Sequence, residues 1–134
     1  MINIQIEGER KLSAIKSDFN TVFPFLKLEF FKAGHNISEA SSKKELISKD
    51  LKVNDIRKAT HTGSLAVTPA LTVSELEMTF RDKFELNVQV FRKSGTVWLE
   101  TSATDNMSLS QQNALGFEKS QPVETTDLTD IDYD

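Results

Sequence analysis

Residues 87–101 read NVQVFRKSGTVWLET, and the fold turns on how this stretch is parsed. Two short runs rich in β-branched and aromatic residues flank Ser94-Gly95, a two-residue turn, which predicts a β-hairpin. With those two residues as the loop, Arg92 opposes Val97, Phe91 opposes Trp98 and Val90 opposes Leu99. One face then carries Val88, Val90, Val97 and Leu99. The other carries Gln89, Phe91, Trp98 and Glu100, an aromatic pair among polar residues. A slip of one residue would exchange the faces of one strand.

The chain on either side of the hairpin is helical. Upstream, Thr72 and Glu75 make a capping box, and Leu71 and Leu76 supply a hydrophobic staple. Val73, Leu76, Phe80 and Phe84 follow at helical spacing, which predicts a helix ending near Phe84. Before it, residues 64–68 (SLAVT) read as a short strand closed by Pro69. Downstream, Ser108 and Gln111 repeat the capping pattern. They predict a helix over 109–115, with Gly116 as a left-handed cap.

Farther from the hairpin, Ile2, Ile4 and Ile6 alternate with Asn3 and Gln5, the pattern of a half-buried strand. Leu12, Ile15, Phe19 and Val22 mark one helix face, stopped by Pro24. Leu26, Leu28 and Phe30 then outline a second strand. Residues 33–62 lack a clear period. Leu46, Ile47, Leu51, Val53 and Ile56 suit one or two short helices, or a helix and a strand. The stretch reads as an insertion, or as a segment mobile until a partner binds. The order predicts one α+β domain over residues 1–118, with a mainly antiparallel sheet and helices on one face. A ferredoxin-like plait with an added C-terminal hairpin strand fits it.

Composition narrows the chemistry. The 134 residues suffice for one domain with a real core. Cysteine is absent, which removes disulfides, thiol nucleophiles, and zinc and iron–sulfur clusters. The start, MINIQIEGER, has no cationic segment followed by an apolar run, and no apolar stretch reaches spanning length. A soluble, cytoplasmic protein without membrane contact is the expectation. Of the 20 acids, five lie in the last 15 residues, where no base occurs, leaving 15 against 16 bases in the body. Residues 119–134 therefore read as an acidic disordered tail. It either aids solubility or offers Leu128, Ile131 and Tyr133, spaced between acids, as a short interaction motif.

No pattern for a metal or a cofactor stands out, and neither is expected. His35 and His61 fall in loops without a clear third ligand. A small-enzyme or small-ligand site would have to use His61, Asp105 and the hydroxyls around them, and a hydroxyl–imidazole pair also needs an orienting acid and an oxyanion hole. Glu75 and Glu77 sit in a first helical turn, where carboxylates favour the helix dipole. Five glycines form no phosphate-cradling motif. Phe91 and Trp98 beside Arg92 and Lys93 suggest a base-stacking platform for single-stranded nucleic acid. The near-neutral body lacks the electrostatic footprint that such binding needs, so nucleic acid is an unlikely partner.

The runs TVSELE, LNVQVFRKSG, VWLETSATD and LSQQN together resemble a group of small bacterial proteins with no known activity. The likeness covers residues 71–116. It implies a bacterial source and no chemistry, and it carries no site residue. The reading that remains is a non-enzymatic protein-interaction module that binds a protein partner or itself. Gln89, Phe91, Arg92, Trp98 and Glu100 are its expected contact surface.

Overall fold

The computed structural model describes residues 2–32, 46–58 and 61–121. Strand β1 (Ile2–Ile6) leads to helix α1 (Leu12–Val22) and strand β2 (Leu26–Phe31). A 3-10 turn (Val53–Asp55) precedes β3 (Gly63–Val67), helix α2 (Val73–Phe84), β4 (Asn87–Ser94) and β5 (Val97–Glu100). Another 3-10 turn (Ser102–Thr104) and helix α3 (Leu109–Lys119) end the described chain. His35 and the acidic segment from residue 122 on, with Leu128, Ile131 and Tyr133, lie outside the described residues.

The class is α+β with antiparallel pairing throughout, as the alternation in the sequence predicts. The described strands do not form the single sheet of a plait. β1 pairs with β3, and β2, β4 and β5 make a separate three-stranded sheet in the order β2-β4-β5. One core joins the two sheets. Ile4, Ile6, Leu65 and Val67 from the small sheet meet Leu26, Leu28, Phe30, Val88 and Val90 from the large one. Leu12, Ile15 and Phe19 of α1, Val73, Leu76, Phe80 and Phe84 of α2, and Leu109 of α3 complete it.

Local chemistry sets the helix ends. Thr72 Oγ1 accepts the Glu75 N–H at 3.1 Å, and the Glu75 carboxylate accepts the Thr72 N–H at 2.9 Å. Ser108 and Gln111 repeat this reciprocal pair. Helix α1 lacks a cap of its own, because Lys11 makes no side-chain cap bond. Asp50 supplies one from 37 positions away, accepting the Ser13 N–H at 3.0 Å and the Ser13 hydroxyl at 2.9 Å. These two bonds, the first the larger cause, hold the Asp50 carboxyl below its ordinary range. The helix expected in the 33–62 stretch is, over its described part, one 3-10 turn and an antiparallel bridge from Leu46 to Phe31.

Helix α3 runs through Gly116 to Lys119, so this glycine is not the terminal cap its position suggested. It is needed for close approach. A Cβ there would lie 2.8 Å from Phe25 Cβ, 3.0 Å from the Phe25 carbonyl oxygen and 3.1 Å from Arg92 Cγ. Ordinarily Gly→Ala inside a helix gains about 1 kcal/mol. Here overpacking opposes it by about 1–3 kcal/mol. Gly116→Ala should therefore lower the melting temperature by several degrees in a thermal scan. An increase would mean that α3 can lift off β2 without loss.

Candidate functional site

The hairpin turn is Gly95-Thr96, one position beyond the expected Ser94-Gly95. Gly95 has φ +62°. A glycine with positive φ at the first loop position is what a type II′ turn requires. Ser94 now faces Val97, Lys93 faces Trp98, Arg92 faces Leu99 and Phe91 faces Glu100. The expected Phe91–Trp98 opposition is therefore not a direct pair. Moving the turn by one position shifts each pairing by two residues, so the faces are unchanged. Phe91 and Trp98 remain on one face as diagonal neighbours.

That face looks away from the helices, which pack on the Leu28–Val90 side. Across it, Lys27 of β2 pairs with Phe91, and Phe91 with Glu100. The Lys27 ammonium sits 5.7 Å from the Phe91 ring centroid and 5.0 Å from that of Trp98. Both distances are within cation–π range. Glu29 holds this ammonium at 3.3 Å and the Lys16 ammonium, from α1, at 3.2 Å. Phe31, beyond Glu29 on β2, Leu46 and Leu99 complete the lining. Together these residues line a shallow groove of ≈ 580 Å³. Phe91 and Trp98 are half-buried, and Glu100 is exposed.

Of the five expected contact residues, Phe91, Trp98 and Glu100 line this groove. Gln89 and Arg92 do not. Gln89 is 3% exposed, and its amide folds over the strand edge, donating to the Val90 carbonyl at 3.2 Å. Arg92 is on the helix side, where it donates to Gln112 Oε1 of α3 at 3.0 Å. Gln112 is fully buried and in turn donates to the carbonyl and the hydroxyl of Thr104, both at 2.8 Å. Arg92 is thus a tie between β4, α3 and the 102–104 turn.

Reading the sequence misplaces Glu77 as well. It is 3% exposed and does not serve as a helix cap. Strand β5 stops at Glu100, one residue short of covering Val90. The Val90 N–H donates to Glu77 Oε2 at 3.1 Å, and the Thr101 hydroxyl donates to the Val90 carbonyl at 2.8 Å. Burial pushes the Glu77 carboxyl up to about 7 against the pull of the Val90 bond, with a smaller upward push from Asp105. This carboxyl closes a gap in the sheet edge and is not in the groove.

His61 and Asp105 do not come together. Arg57 donates to the carbonyls of both His61 and Phe84, which places His61 at the C-terminal end of α2. The Asp105 carbonyl accepts the Ser74 N–H at 2.8 Å, at the N-terminal end. Twelve residues of helix separate the two ends by about 18 Å, at about 1.5 Å per residue. Among the described residues, no three of His, Asp and Glu group as metal ligands. No described helix is long and apolar enough to cross a membrane.

Comparison with family models, curated proteins and solved structures finds no match to this chain.

Proposed function

We propose that this chain is a non-enzymatic cytoplasmic interaction module that binds a protein partner, or itself, through the groove on the open face of its three-stranded sheet. The observation that carries this reading is the placement of Phe91 and Trp98, half-buried side by side on the sheet face turned away from the helices. Large aromatics held on a rigid strand and left partly accessible are the usual anchors of protein contacts. Lys27 and Glu29 give the groove a polar wall beside its aromatic floor. That arrangement suits a polypeptide carrying both apolar and charged side chains. The groove is lined by two carboxylates and one ammonium, which disfavours a phosphate backbone.

Trp98→Ala tests the proposal. Trp98 lies on the open face and is not part of the core cluster, so the melting temperature should change by no more than a few degrees. Binding should weaken at least about a hundredfold, the cost of truncating an interface anchor by about 3 kcal/mol. The measurement is affinity capture with the wild-type chain and with Trp98→Ala, followed by titration of any captured protein. Trp98 is the sole tryptophan, so its fluorescence reports contact directly. Capture that is identical for both chains sinks the reading. So does a Trp98→Ala chain that fails to fold.

A further inference from the structure

We propose that the outer edge of β5 pairs antiparallel with β5 of a second copy of this chain, Trp98 opposite Trp98, in a two-fold symmetric dimer. The inference rests on the interaction-module reading and adds to it the partner, the register and the main-chain groups involved.

The alternation of the ladder fixes which groups face outward. The Lys93 N–H donates to the Phe25 carbonyl at 2.9 Å, so it points toward β2. Val90, three residues back and so in the opposite phase, points the other way, toward Glu77 and Thr101. Arg92 and Ser94 share the phase of Val90, and they bond Leu99 and Val97 within the hairpin. The Lys93–Trp98 pair is then the non-bonded kind. The Trp98 N–H and C=O therefore point away from β4. Among the described residues, no strand lies on that side of β5.

Of the usual protections of a strand edge, this one has only its shortness and the charge of Glu100. The strand reads VWLE, with neither lysine nor proline to discourage pairing. Val97 is 53% exposed and Leu99 is 41% exposed. They are the two large hydrophobics left exposed on a named strand among the described residues.

The second copy is favoured over an unrelated strand because the edge matches itself. Under a two-fold axis normal to the sheet, opposed residues must share a face. Placing residue 98 on the axis meets that condition. It lets the two Trp98 backbones exchange both N–H···O=C bonds. Val97 then faces Leu99 of the second copy, and Leu99 faces Val97, so each exposed apolar group covers another. The two Trp98 rings meet on the open side, where cross-strand aromatic pairs are favourable. Two three-stranded sheets become one of six strands, and the grooves run on from one copy into the other. The contact is small, so the dimer dissociates on dilution.

Two measurements over about 10 µM to about 1 mM, the range in which so small an interface exchanges, test this. Sedimentation equilibrium should show the weight-average mass rising from 15.1 kDa toward twice that value. Exchange of the Trp98 amide with solvent, read by NMR, should slow by at least about tenfold as the outward N–H becomes bonded. The variant Val97→Lys, which sets a charge against Leu99 of the second copy at both ends of the contact, should stay monomeric and keep fast Trp98 exchange throughout. A wild-type chain that is monomeric at about 1 mM overturns the proposal, as does a mass increase with unchanged Trp98 exchange. A Val97→Lys chain that dimerises like wild type overturns it too. If that variant does not fold, Trp98 exchange in the wild type decides alone. Val97 does not line the groove, so loss of the dimer in Val97→Lys with retained protein capture leaves the groove reading standing.

Discussion

Between about pH 4.5 and about pH 7, the native state should lose about 3 kcal/mol of stability through Glu77 alone, and Glu77→Gln should not show this loss. The carboxyl has an ordinary value of 4.5 and is pushed to about 7 in the fold by burial. Each unit corresponds to about 1.4 kcal/mol. The sign follows from proton linkage. Over this interval the folded chain holds the proton and the unfolded chain has released it, so raising the pH favours unfolding. Below pH 4.5 both states are protonated and nothing is lost. Above pH 7 both are ionised and the full cost is present. Glutamine keeps an acceptor for the Val90 N–H without a charge. Wild type and Glu77→Gln should therefore be similar in stability near pH 4, with the variant ahead by about 3 kcal/mol near pH 8. Urea unfolding at a series of pH values measures the difference directly, and other titrating groups cancel in it. Curves that stay parallel across the interval would mean that Glu77 is solvated in the native state.

Phe80→Ala should cost about 3–5 kcal/mol, a large share of the about 5–15 kcal/mol available to a domain of this size. Phe80 is fully buried, and its ring meets that of Phe30 edge-on, at 6.1 Å and 87°. This contact clamps α2 onto β2, the edge strand of the large sheet. Truncation removes the area buried by the ring, leaves a cavity and frees the Phe30 ring of its neighbour. Phe80→Leu fills most of the space and should lose much less. Chemical denaturation of the two variants beside wild type makes the comparison. A Phe80→Ala loss below about 1.5 kcal/mol would show that the core collapses around the gap.

Much of the fold is legible one element at a time, because the decisive interactions there are local. Thr72 and Glu75 cap α2 as their spacing predicts, and Phe84 ends it. The alternation of residues 2–6 marks β1. The hairpin faces survive a misplaced turn because Ser-Gly and Gly-Thr both make two-residue loops, and exchanging them preserves parity. What is not legible depends on distant partners. The division into two sheets is decided by which strands meet, and no short pattern encodes that choice. Gly116 looks like a cap until the approach of Phe25 is known. Glu77 looks like a first-turn carboxylate until β5 is seen to stop short of Val90. In the site, Phe91, Trp98 and Glu100 were legible from alternation alone. Gln89 and Arg92 were not, since one folds over an edge and the other serves the helix side. Lys27 and Glu29, which complete the groove, come from a strand some sixty residues away, and only the β2–β4 register identifies them.

The division into two sheets bears on how fast this chain reaches its native state. Paired residues in β1–β3 and in β2–β4 lie between 56 and 66 positions apart, and only β4–β5 closes locally. Hairpin and helices can form in microseconds. Neither long-range ladder returns any free energy until a loop of that length has closed. The chain belongs with the slower folders, on a timescale of about milliseconds to seconds. The growing cost of loop closure is logarithmic, so a longer or shorter connection after β2 would change that rate little. Residues added to that connection outside Ile47, Asp50 and Val53, which pack into the core or cap α1, would therefore leave the order of assembly undisturbed.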